Sequence, residues 1–555
     1  MAEVLPKSNR NGERMYKMGR TWKRIQKGTV AVLLAGSLLL NGCGGKTSSL
    51  DGYKYEQELN IIDDNTRTYY EIFVYSYYDT NGDGIGDLNG VIEKLDYIKE
   101  LGFNGIWLMP IMPSPTYHKY DTTNYCDIDP VYGTMDDFKK LVEECHNRDI
   151  KLIIDFMMNH TSKKHDWFQK ANMYLQELEK GQKPSAEECP YIDYYHFVKK
   201  KDAKGSGFYQ IGSTDWYYEG SFWDQMPDLD LEAHVVRAEL EQAAKFWLDL
   251  GVDGFRLDGV KYFTGSDNTN IEILTWFNDY VKAQNPDAYL VGEVWTNVKL
   301  AADYLKSGID SVFNFSTGDS KGTYLSTIRQ SNVKGTGKPF AETMVGLQNI
   351  VNEANPNSTI AEFLTNHDTG RVANFLAKPE KVKMAYALEI FMTGNVFVYY
   401  GEEIGLSGAG SHENFRAPMY WSATDKTGIT KGPENMDKFD FLFAPLDEQQ
   451  TDATSIYNFI KRCIRIRNEN PEIARGTVEL IPEVEDEAIC AITKTYEDSK
   501  LVMLYNLATE TKTVTVPKDK YGYDKIRGYV STDGTEVTLD GDTVTLPPYS
   551  VVVLK

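Results

Sequence analysis

The sequence has 555 residues, of which 41% are hydrophobic and 25% are charged, a balance typical of a globular protein that can bury a large core. The formal net charge is −22, and a surface this acidic would repel phosphate backbones, so we expect no nucleic-acid partner. A neutral ligand such as a sugar is compatible with this charge.

The N-terminal segment has the pattern of an export signal. Basic residues precede an apolar run over residues 29–40, which is too short to span a bilayer comfortably but suits the core of a signal peptide. The Leu-Asn-Gly-Cys motif that ends at Cys43 then resembles a bacterial lipobox. We therefore predict a lipoprotein signal peptide over 1–42, lipidation of Cys43 and a polar tether over 43–65, with an ordinary buried helix as the alternative. The prediction implies an exported protein, lipid-anchored at the bacterial cell surface or at the outer face of the cytoplasmic membrane.

The other five cysteines form no CxxC pair and no zinc-binding spacing. Because their number is odd, no disulfide framework is indicated. We expect thiols that are free and mostly buried.

From about residue 68 to 400, short apolar strands alternate with amphipathic helical stretches. Eight such units in a row predict an α/β fold, a closed parallel (β/α)8 TIM barrel. The strand candidates are Tyr70–Tyr75, Gly105–Met109, Lys151–Phe156, Gly254–Asp258, Ala288–Glu293, Ser311–Phe315, Ile360–Leu364 and Val396–Tyr400. We assign residues 66–159 and 233–470 to this catalytic barrel.

Two regions depart from this alternation. The stretch 160–232, between the third strand and its helix, is too long for an ordinary connection, so we predict an inserted subdomain over the barrel mouth. After Pro471 the apolar residues alternate with polar ones, which predicts a C-terminal antiparallel β-sandwich over 471–555.

Polar residues at the C-terminal ends of the strands are the candidates for chemistry, since active sites of such barrels lie there. Arg256 and Asp258 share one face at the end of strand four, because side chains alternate along a strand, and the Arg would keep the Asp ionised as a nucleophile requires. A structural Arg–Asp pair is the alternative. Glu293 ends strand five close to Trp295, and an apolar neighbour would raise its pKa so that it holds a proton.

Strand seven adds His367 and Asp368, and strand three adds His160. Three strand ends thus carry a carboxylate, and two carboxylates flanking a glycosidic bond are the usual means of cleaving it. A separation of about 5–5.5 Å gives retention of configuration. The pattern therefore predicts a glycoside hydrolase, and the sequence leaves this distance open.

These strand ends resemble the four signature regions of the α-amylase family of glycoside hydrolases (family 13). The resemblance covers about residues 68–468 in register. The matching stretches are Asp155–His160 with Thr161, Ser162 and His165–Phe168, Gly254–Tyr262, Glu293–Trp295, Phe363–Asp368, Tyr117–Asp121, Met226–Asp230 and Tyr399–Gly405. The Met-Pro-Asp-Leu stretch that begins at Met226 is similar to the lipoprotein α-amylases intermediate between α-amylases and oligo-1,6-glucosidases.

The resemblance implies a role for each matching residue. Asp258 would be the nucleophile, Glu293 the general acid/base and Asp368 a third carboxylate that stabilises the transition state. Arg256 would support the nucleophile, and Tyr120 would stack on the sugar, with a packing role as its alternative. The full set of implied substrate-binding residues is His118, Tyr120, Asp121, His160, Arg256, Lys261 and His367.

The loop after strand one has oxygen-bearing side chains at alternate positions and a glycine at its turn, which is the pattern of a calcium loop. Position twelve is Gly90 instead of Glu, so the loop is not an EF-hand. It resembles the calcium loop of many family members, which implies a structural Ca²⁺ held by Asp79, Asn81, Asp83, the Ile85 carbonyl and Asp87. The resemblance also offers Asn159 for a second calcium, although Tyr262 stands where those members have a His.

The resemblance favours an α-amylase that cleaves α-1,4 bonds of starch and maltooligosaccharides, since Lys261 is typical of α-amylases. The sequence around Arg416 is closer to the α-glucosidases. An exo-acting α-glucosidase or oligo-1,6-glucosidase, or a transglycosylase of the same fold, is therefore the alternative. A non-catalytic glucan-binding lipoprotein is a distant alternative, because all three carboxylates are present. We expect a monomer that binds an α-glucan or maltooligosaccharide and reaches the membrane through Cys43.

Overall fold

The computed structural model describes residues 57–179 and 181–555. The strands before the C-terminal region are β1 (Thr68–Ile72), β2 (Gly105–Leu108), β3 (Lys151–Phe156), β4 (Phe197–Lys199), β5 (Phe208–Gln210), β6 (Trp216–Glu219), β7 (Gly254–Leu257), β8 (Tyr289–Gly292), β9 (Ser311–Phe313), β10 (Thr359–Phe363) and β11 (Asn395–Tyr399). A parallel barrel closes in the order β1-β11-β10-β9-β8-β7-β3-β2. The predicted fold class is confirmed by this closed barrel.

Helices connect the barrel strands and follow the last of them. They are α1 (Leu88–Glu93), α2 (Leu95–Leu101), α3 (Met135–His146), α4 (Asp166–Glu177), α5 (His234–Asp249), α6 (Asp267–Gln284), α7 (Val298–Asp303), α8 (Thr323–Gln330), α9 (Gly337–Ala354), α10 (Val372–Leu376), α11 (Pro379–Ile390), α12 (His412–Phe415), α13 (Leu446–Gln449), α14 (Ile456–Glu469), α15 (Glu472–Arg475) and α16 (Lys518–Tyr521). In α3, Thr134 and Asp137 form a capping box, and the buried residues Phe138, Leu141 and Cys145 recur at helical spacing. The cap and the apolar stripe explain why this segment is helical.

Aromatic side chains fill the inside of the barrel. The rings of Tyr69 and Phe397 are stacked with centroids 4.6 Å apart, and Trp107 and Phe313 belong to the same buried cluster. Gly105 makes room for this packing, since a Cβ there would lie 2.5 Å from the Tyr69 ring. The interior is therefore a packed core, and it gives the strand ends a rigid base.

A small antiparallel sheet in the order β4-β6-β5 lies within the long connection between β3 and α5. The C-terminal strands are β12 (Thr477–Leu480), β13 (Ile489–Tyr496), β14 (Ser499–Asn506), β15 (Lys512–Thr515), β16 (Ile526–Ser531), β17 (Thr538–Asp540), β18 (Thr543–Leu546) and β19 (Ser550–Leu554). They form antiparallel sheets in the orders β12-β13-β14-β19-β16 and β15-β18-β17. Val502 and Val544, one from each sheet, belong to a common buried cluster.

Strand one differs from its prediction. It ends at Ile72, because Val74–Ser76 forms a short 3-10 helical turn instead of continuing the strand to Tyr75. The predicted signal peptide, Cys43 and most of the predicted tether lie outside the described residues. Across residues 57–179 and 181–555, no helix has both the length and the apolar character of a membrane span.

The cysteines of the described residues are free thiols. Cys126 is exposed, and Cys145, Cys189, Cys463 and Cys490 are buried.

Candidate active site

A cleft of about 670 Å³ opens at the C-terminal ends of the barrel strands. Asp258 directly follows β7 and Glu293 directly follows the adjacent strand β8, whereas Asp368 comes five residues after the end of β10. The structure thus brings the three predicted carboxylates into the lining of one cleft.

One buried guanidinium holds the first two carboxylates together. Arg256 is 1% exposed, and its Nη1 donates to Asp258 Oδ1 at 2.6 Å and to Asp155 Oδ1 at 2.8 Å. Its Nη2 lies 3.1 Å from Glu293 Oε2. Charge-assisted hydrogen bonds of this kind compensate the buried charges and fix the orientation of the carboxylates. Arg256 therefore acts from behind the cleft, whose lining does not include it.

Glu293 has the surroundings of a general acid. Burial raises the pKa of Glu293 to about 7, with Arg256 opposing the rise and the charges of Asp258 and Asp368 adding to it. The Gly259 N–H donates to Glu293 Oε2 at 2.9 Å and orients the carboxyl. Trp295, expected to be the apolar neighbour, is 46% exposed, so the general burial of the carboxyl matters more than this one ring.

Asp368 lies between two cations. Arg416 Nη2 donates to one carboxylate oxygen at 2.8 Å, and His367 Nε2 lies 3.0 Å from the other. Burial opposes ionisation of Asp368, but His367 and Arg416 outweigh it and hold the pKa of this carboxyl well below its usual range. Burial also disfavours the charged form of His367, but Asp368 and Glu71 raise the pKa of His367 to about 9. His367 is therefore a cation at neutral pH.

The predicted aromatic and histidine contacts surround this pair. The Tyr120 hydroxyl lies 2.7 Å from His367 Nε2 and donates to Asp155 Oδ2 at 3.0 Å, and Tyr120 lines the cleft. His118 and His160 line it as well. Burial lowers the pKa of His118 to about 3, so this imidazole is neutral and accepts the Tyr120 N–H at 3.2 Å through Nδ1.

Predicted His367 is fully buried behind Asp368 and does not line the cleft, and three other predicted residues also lie outside its lining. Asp121 is fully buried and accepts hydrogen bonds from hydroxyl groups of the surrounding loop. Lys261 Nζ forms an ion pair with Asp267 at 2.8 Å. Asn159 Nδ2 donates to Asp228 Oδ1 at 3.1 Å, which joins the end of β3 to the inserted region.

The predicted calcium loop is a tight turn. Asp79 Oδ2 accepts the Gly84 N–H at 2.7 Å, and Asp87 caps α1. Asn81 and Asp83 each accept one backbone N–H and keep lone pairs for a cation, whereas both carboxylate oxygens of Asp87 already accept hydrogen bonds from Thr80 or Gly90. Among the described residues, however, no group of three or more His, Cys, Asp or Glu side chains is arranged to hold a metal ion. Calcium binding stays a prediction.

The sequence analysis missed the partners of the carboxylates. Glu71 lies in β1, is fully buried and contacts His367 Nδ1 at 2.6 Å. A charged residue within an apolar strand was the signal that could have indicated it. Arg416 was noted for its neighbouring sequence alone, and its contact with Asp368 joins segments 48 residues apart.

Exposed aromatic side chains form the rim of the cleft. Phe222 and Trp223 come from the inserted region, and Tyr262 and Trp295 follow β7 and β8. All four are between 44% and 48% exposed, which is unusual for such large apolar groups. Aromatic faces next to polar groups provide the kind of surface on which sugar rings stack.

Comparisons with known proteins agree with this arrangement. Residues 71–476 match the family model described as Alpha amylase, catalytic domain, and residues 489–553 match the one described as Alpha-amylase SusG C-terminal domain. Alpha-amylase 3 of Dictyoglomus thermophilum is 37% identical over 498 residues, which cover 88% of this chain and 92% of that protein. Probable oligo-1,6-glucosidase 2 of Bacillus subtilis is 29% identical, with 81% and 91% covered.

A solved structure, Eubacterium rectale Amy13B, has a TM-score of 0.87 and 44% sequence identity, with 90% of this chain and 97% of that chain covered. The fold, the cleft and these matches lead to one conclusion. This chain belongs to the α-amylase family and is a glycoside hydrolase of the α-amylase type.

Proposed function

We propose that the chain is a retaining α-amylase that hydrolyses α-1,4 bonds of starch and maltooligosaccharides. Asp258 is the nucleophile, Glu293 the general acid/base and Asp368 the stabiliser of the transition state. The observation that carries the proposal is the contact of the two terminal nitrogens of Arg256 with Asp258 and Glu293. Retaining enzymes have carboxyl groups about 5–5.5 Å apart, and a single guanidinium that bridges both favours this short separation over an inverting one.

The proposed reaction has two steps. First, the Asp258 carboxylate attacks the anomeric carbon while Glu293, which holds a proton up to about pH 7, protonates the departing glycosidic oxygen. Second, water attacks the glycosyl ester, Glu293 takes the proton of that water, and the Asp258 carboxylate leaves. The pKa of Glu293 suits both roles, since it lies near the pH at which the group must give and regain a proton.

Asp368 and its partners stabilise the charge that develops on the sugar. The sugar becomes oxocarbenium-like in the transition state, so a fixed negative carboxylate beside it lowers the barrier. His367 and Arg416 hold Asp368 in place at 3.0 and 2.8 Å. Such preorganised groups need no rearrangement during the reaction.

The aromatic rim supports an oligosaccharide as substrate. The ring centroids of Phe222 and Tyr262 are 4.8 Å apart, so the inserted region meets the loop after β7 at the edge of the cleft, and both rings are available to stack on sugars. The similarity to an α-amylase at 37% identity supports α-1,4 cleavage. The alternative is exo-acting α-glucosidase or oligo-1,6-glucosidase activity. The similarity to an oligo-1,6-glucosidase at 29% identity supports this alternative.

A product profile tests the proposal. Protein lacking residues 1–43 is incubated with soluble starch, maltotriose, isomaltose and sucrose, with the Asp258→Asn variant as the inactive control. Early release of mixed maltooligosaccharides in the α-configuration supports a retaining α-amylase, and β-configured products contradict retention. Glucose alone, mainly from short substrates, supports the alternative, and products longer than the substrate indicate a transglycosylase.

We also propose that a structural Ca²⁺ binds Asp79, Asn81, Asp83, Asp87 and the Ile85 carbonyl. The donors are hard oxygens, which suit Ca²⁺. The ion would stabilise the conformation of the 79–87 loop. Its role would be structural, because glycoside hydrolysis itself needs no metal. Asn159 is the candidate for a second calcium, with less support because its amide already donates to Asp228.

We propose further that Cys43 carries lipid, which holds the mature enzyme on the outer face of the cytoplasmic membrane or on the cell surface as a monomer. The apolar run over residues 29–40 and the motif that ends at Cys43 support this. Metabolic labelling with a fatty acid tests it: the label is expected on the natural protein, and label that survives Cys43→Ala contradicts the anchor. Light scattering of the protein without residues 1–43 tests the monomer.

A further inference from the structure

A second cavity of about 620 Å³ takes part in no step of the proposed reaction. Its entire lining comes from residues 418–441, and we call it the 418–441 groove. Arg416, two residues before this segment, lines the catalytic cleft. One stretch of chain therefore passes from the cleft into the groove.

Aromatic side chains form one wall of the 418–441 groove. The Tyr420 and Phe441 rings have centroids 4.6 Å apart, and the Phe439 and Phe441 rings meet edge to face at 5.8 Å. All three rings are half-buried, so each keeps part of its surface accessible. Rigid apolar faces of this size match the apolar faces of pyranose rings.

Polar groups of both signs lie among the rings. Lys426, Lys438 and Asp440 are exposed at the groove, so donors and acceptors are both available to sugar hydroxyls. The Thr430 hydroxyl in the same lining is buried and has no hydrogen-bond partner among the described residues. An unsatisfied buried hydroxyl calls for a further polar partner. The mixture favours a neutral polyhydroxyl ligand over an ionic one.

Two reciprocal hydrogen bonds join the groove to the catalytic cleft. Asn414 Nδ2 donates to Asp437 Oδ2 at 2.8 Å, and the Asp437 N–H donates to Asn414 Oδ1 at 2.8 Å. Asn414 lies in α12, whose residues His412 and Glu413 line the cleft. The segments that line the groove and the cleft are therefore held next to each other.

We propose that the 418–441 groove is a second binding site for an α-glucan segment, separate from the catalytic subsites. This proposal rests on the proposed function, because the ligand of the groove is the same α-glucan that the enzyme cleaves. A chain held in the groove stays next to the cleft between successive cleavages, which raises its effective concentration there. The effective concentration of a short substrate is not raised, because a short substrate cannot occupy the groove and the cleft at the same time.

Calorimetry with maltoheptaose and the Asp258→Asn protein tests the proposal without turnover. We expect two binding events per chain. Adding Phe439→Ala removes one event, and adding Trp295→Ala weakens the other. Leu442→Ala is the matched control, since this residue is 50% exposed next to Phe441 but does not line the groove, and it leaves both events intact. A single event that is indifferent to Phe439→Ala overturns the proposal.

Kinetics with the active enzyme give an independent readout. Phe439→Ala is expected to raise KM for soluble starch about fivefold, the effect of losing roughly one ring contact, and to leave maltotriose kinetics unchanged. An unchanged KM for starch counts against the groove. If Phe439→Ala unfolds at a lower temperature, the double variant Lys438→Ala and Asp440→Ala, which removes an exposed donor and an exposed acceptor, replaces it with the same expectations. If the enzyme cleaves no glucan, this result contradicts the proposed function but not the groove. The groove is tested separately by the binding of maltoheptaose to the Asp258→Asn protein.

Discussion

Replacing Arg256 by Lys keeps a positive charge inside the barrel but removes the planar fork that bridges the carboxylates. The guanidinium contacts Asp258 at 2.6 Å, Asp155 at 2.8 Å and Glu293 at 3.1 Å. A single ammonium is a point charge and cannot satisfy three partners spread around the planar guanidinium. We expect the Arg256→Lys variant to lose the contact with at least one of the three.

The contact between Arg256 and Glu293 sets the size of the expected change in the pKa of Glu293. Two unit charges 3.1 Å apart attract by about 5 kcal/mol at an effective dielectric of about 20, and desolvation of the buried ions offsets most of this. A net loss of about 1.4 kcal/mol corresponds to about one pKa unit. Loss of a neighbouring cation disfavours the carboxylate, so the pKa of Glu293 rises from about 7 towards about 8 in the variant.

The pH dependence of kcat/KM on a chromogenic maltooligosaccharide measures this shift. In Arg256→Lys the loss of activity on the alkaline side is expected about one pH unit higher than in the natural enzyme, with the plateau reduced about 100-fold because the carboxylates lose their orientation. Arg475→Lys is the matched control, since Arg475 makes a two-point contact with Asp64 outside the cleft. An alkaline limb that stays in place in Arg256→Lys would refute the proposed bridging role.

Three further predictions follow from the same geometry. In the natural enzyme, kcat/KM is expected to fall as pH rises through about 7, because Glu293 must carry its proton, and a flat profile up to pH 9 contradicts the acid assignment. Gly259→Ala is expected to raise KM several-fold, since φ is +56° and the new Cβ would lie 2.9 Å from the Phe222 ring, whereas Gly265→Ala meets open space and serves as the control. A chelator is expected to lower Tm by several degrees through the 79–87 loop, with recovery on adding Ca²⁺ but not Mg²⁺, and an unchanged Tm argues against the calcium proposal.

The barrel was predictable because its signals are local. Each strand is a short apolar run, each helix has its own apolar stripe, and a parallel barrel follows from their alternation. The catalytic candidates were predictable for the same reason, since Asp258 and Glu293 directly follow their strands. Strand one was less clear, because Val74–Ser76 is apolar enough to continue the strand but turns instead.

The contacts between distant segments were not predictable from local pattern. Glu71 and His367 are 296 residues apart, and only closure of the barrel brings β1 next to the segment after β10. The sugar contact that the motif of Lys261 implies stays a prediction, and the conformation of this segment explains the ion pair that Lys261 forms instead of lining the cleft. Gly259 adopts a left-handed conformation and starts a 3-10 turn at Val260, so the chain bends here and Lys261 pairs with Asp267.

The charges around the cleft explain why the acid carries its proton. In the ion-pair network of Arg256, Arg416 and His367, a neutral Glu293 leaves one more carboxylate than cations, the carboxylates being Glu71, Asp155, Asp258 and Asp368. Ionising Glu293 would add a further buried negative charge, which is why burial and its acidic neighbours raise its pKa. The oxocarbenium-like transition state supplies the missing positive charge, whereas the neutral ground-state sugar does not. The excess of one negative charge therefore stabilises the transition state more than the bound substrate, which is the condition for faster chemistry.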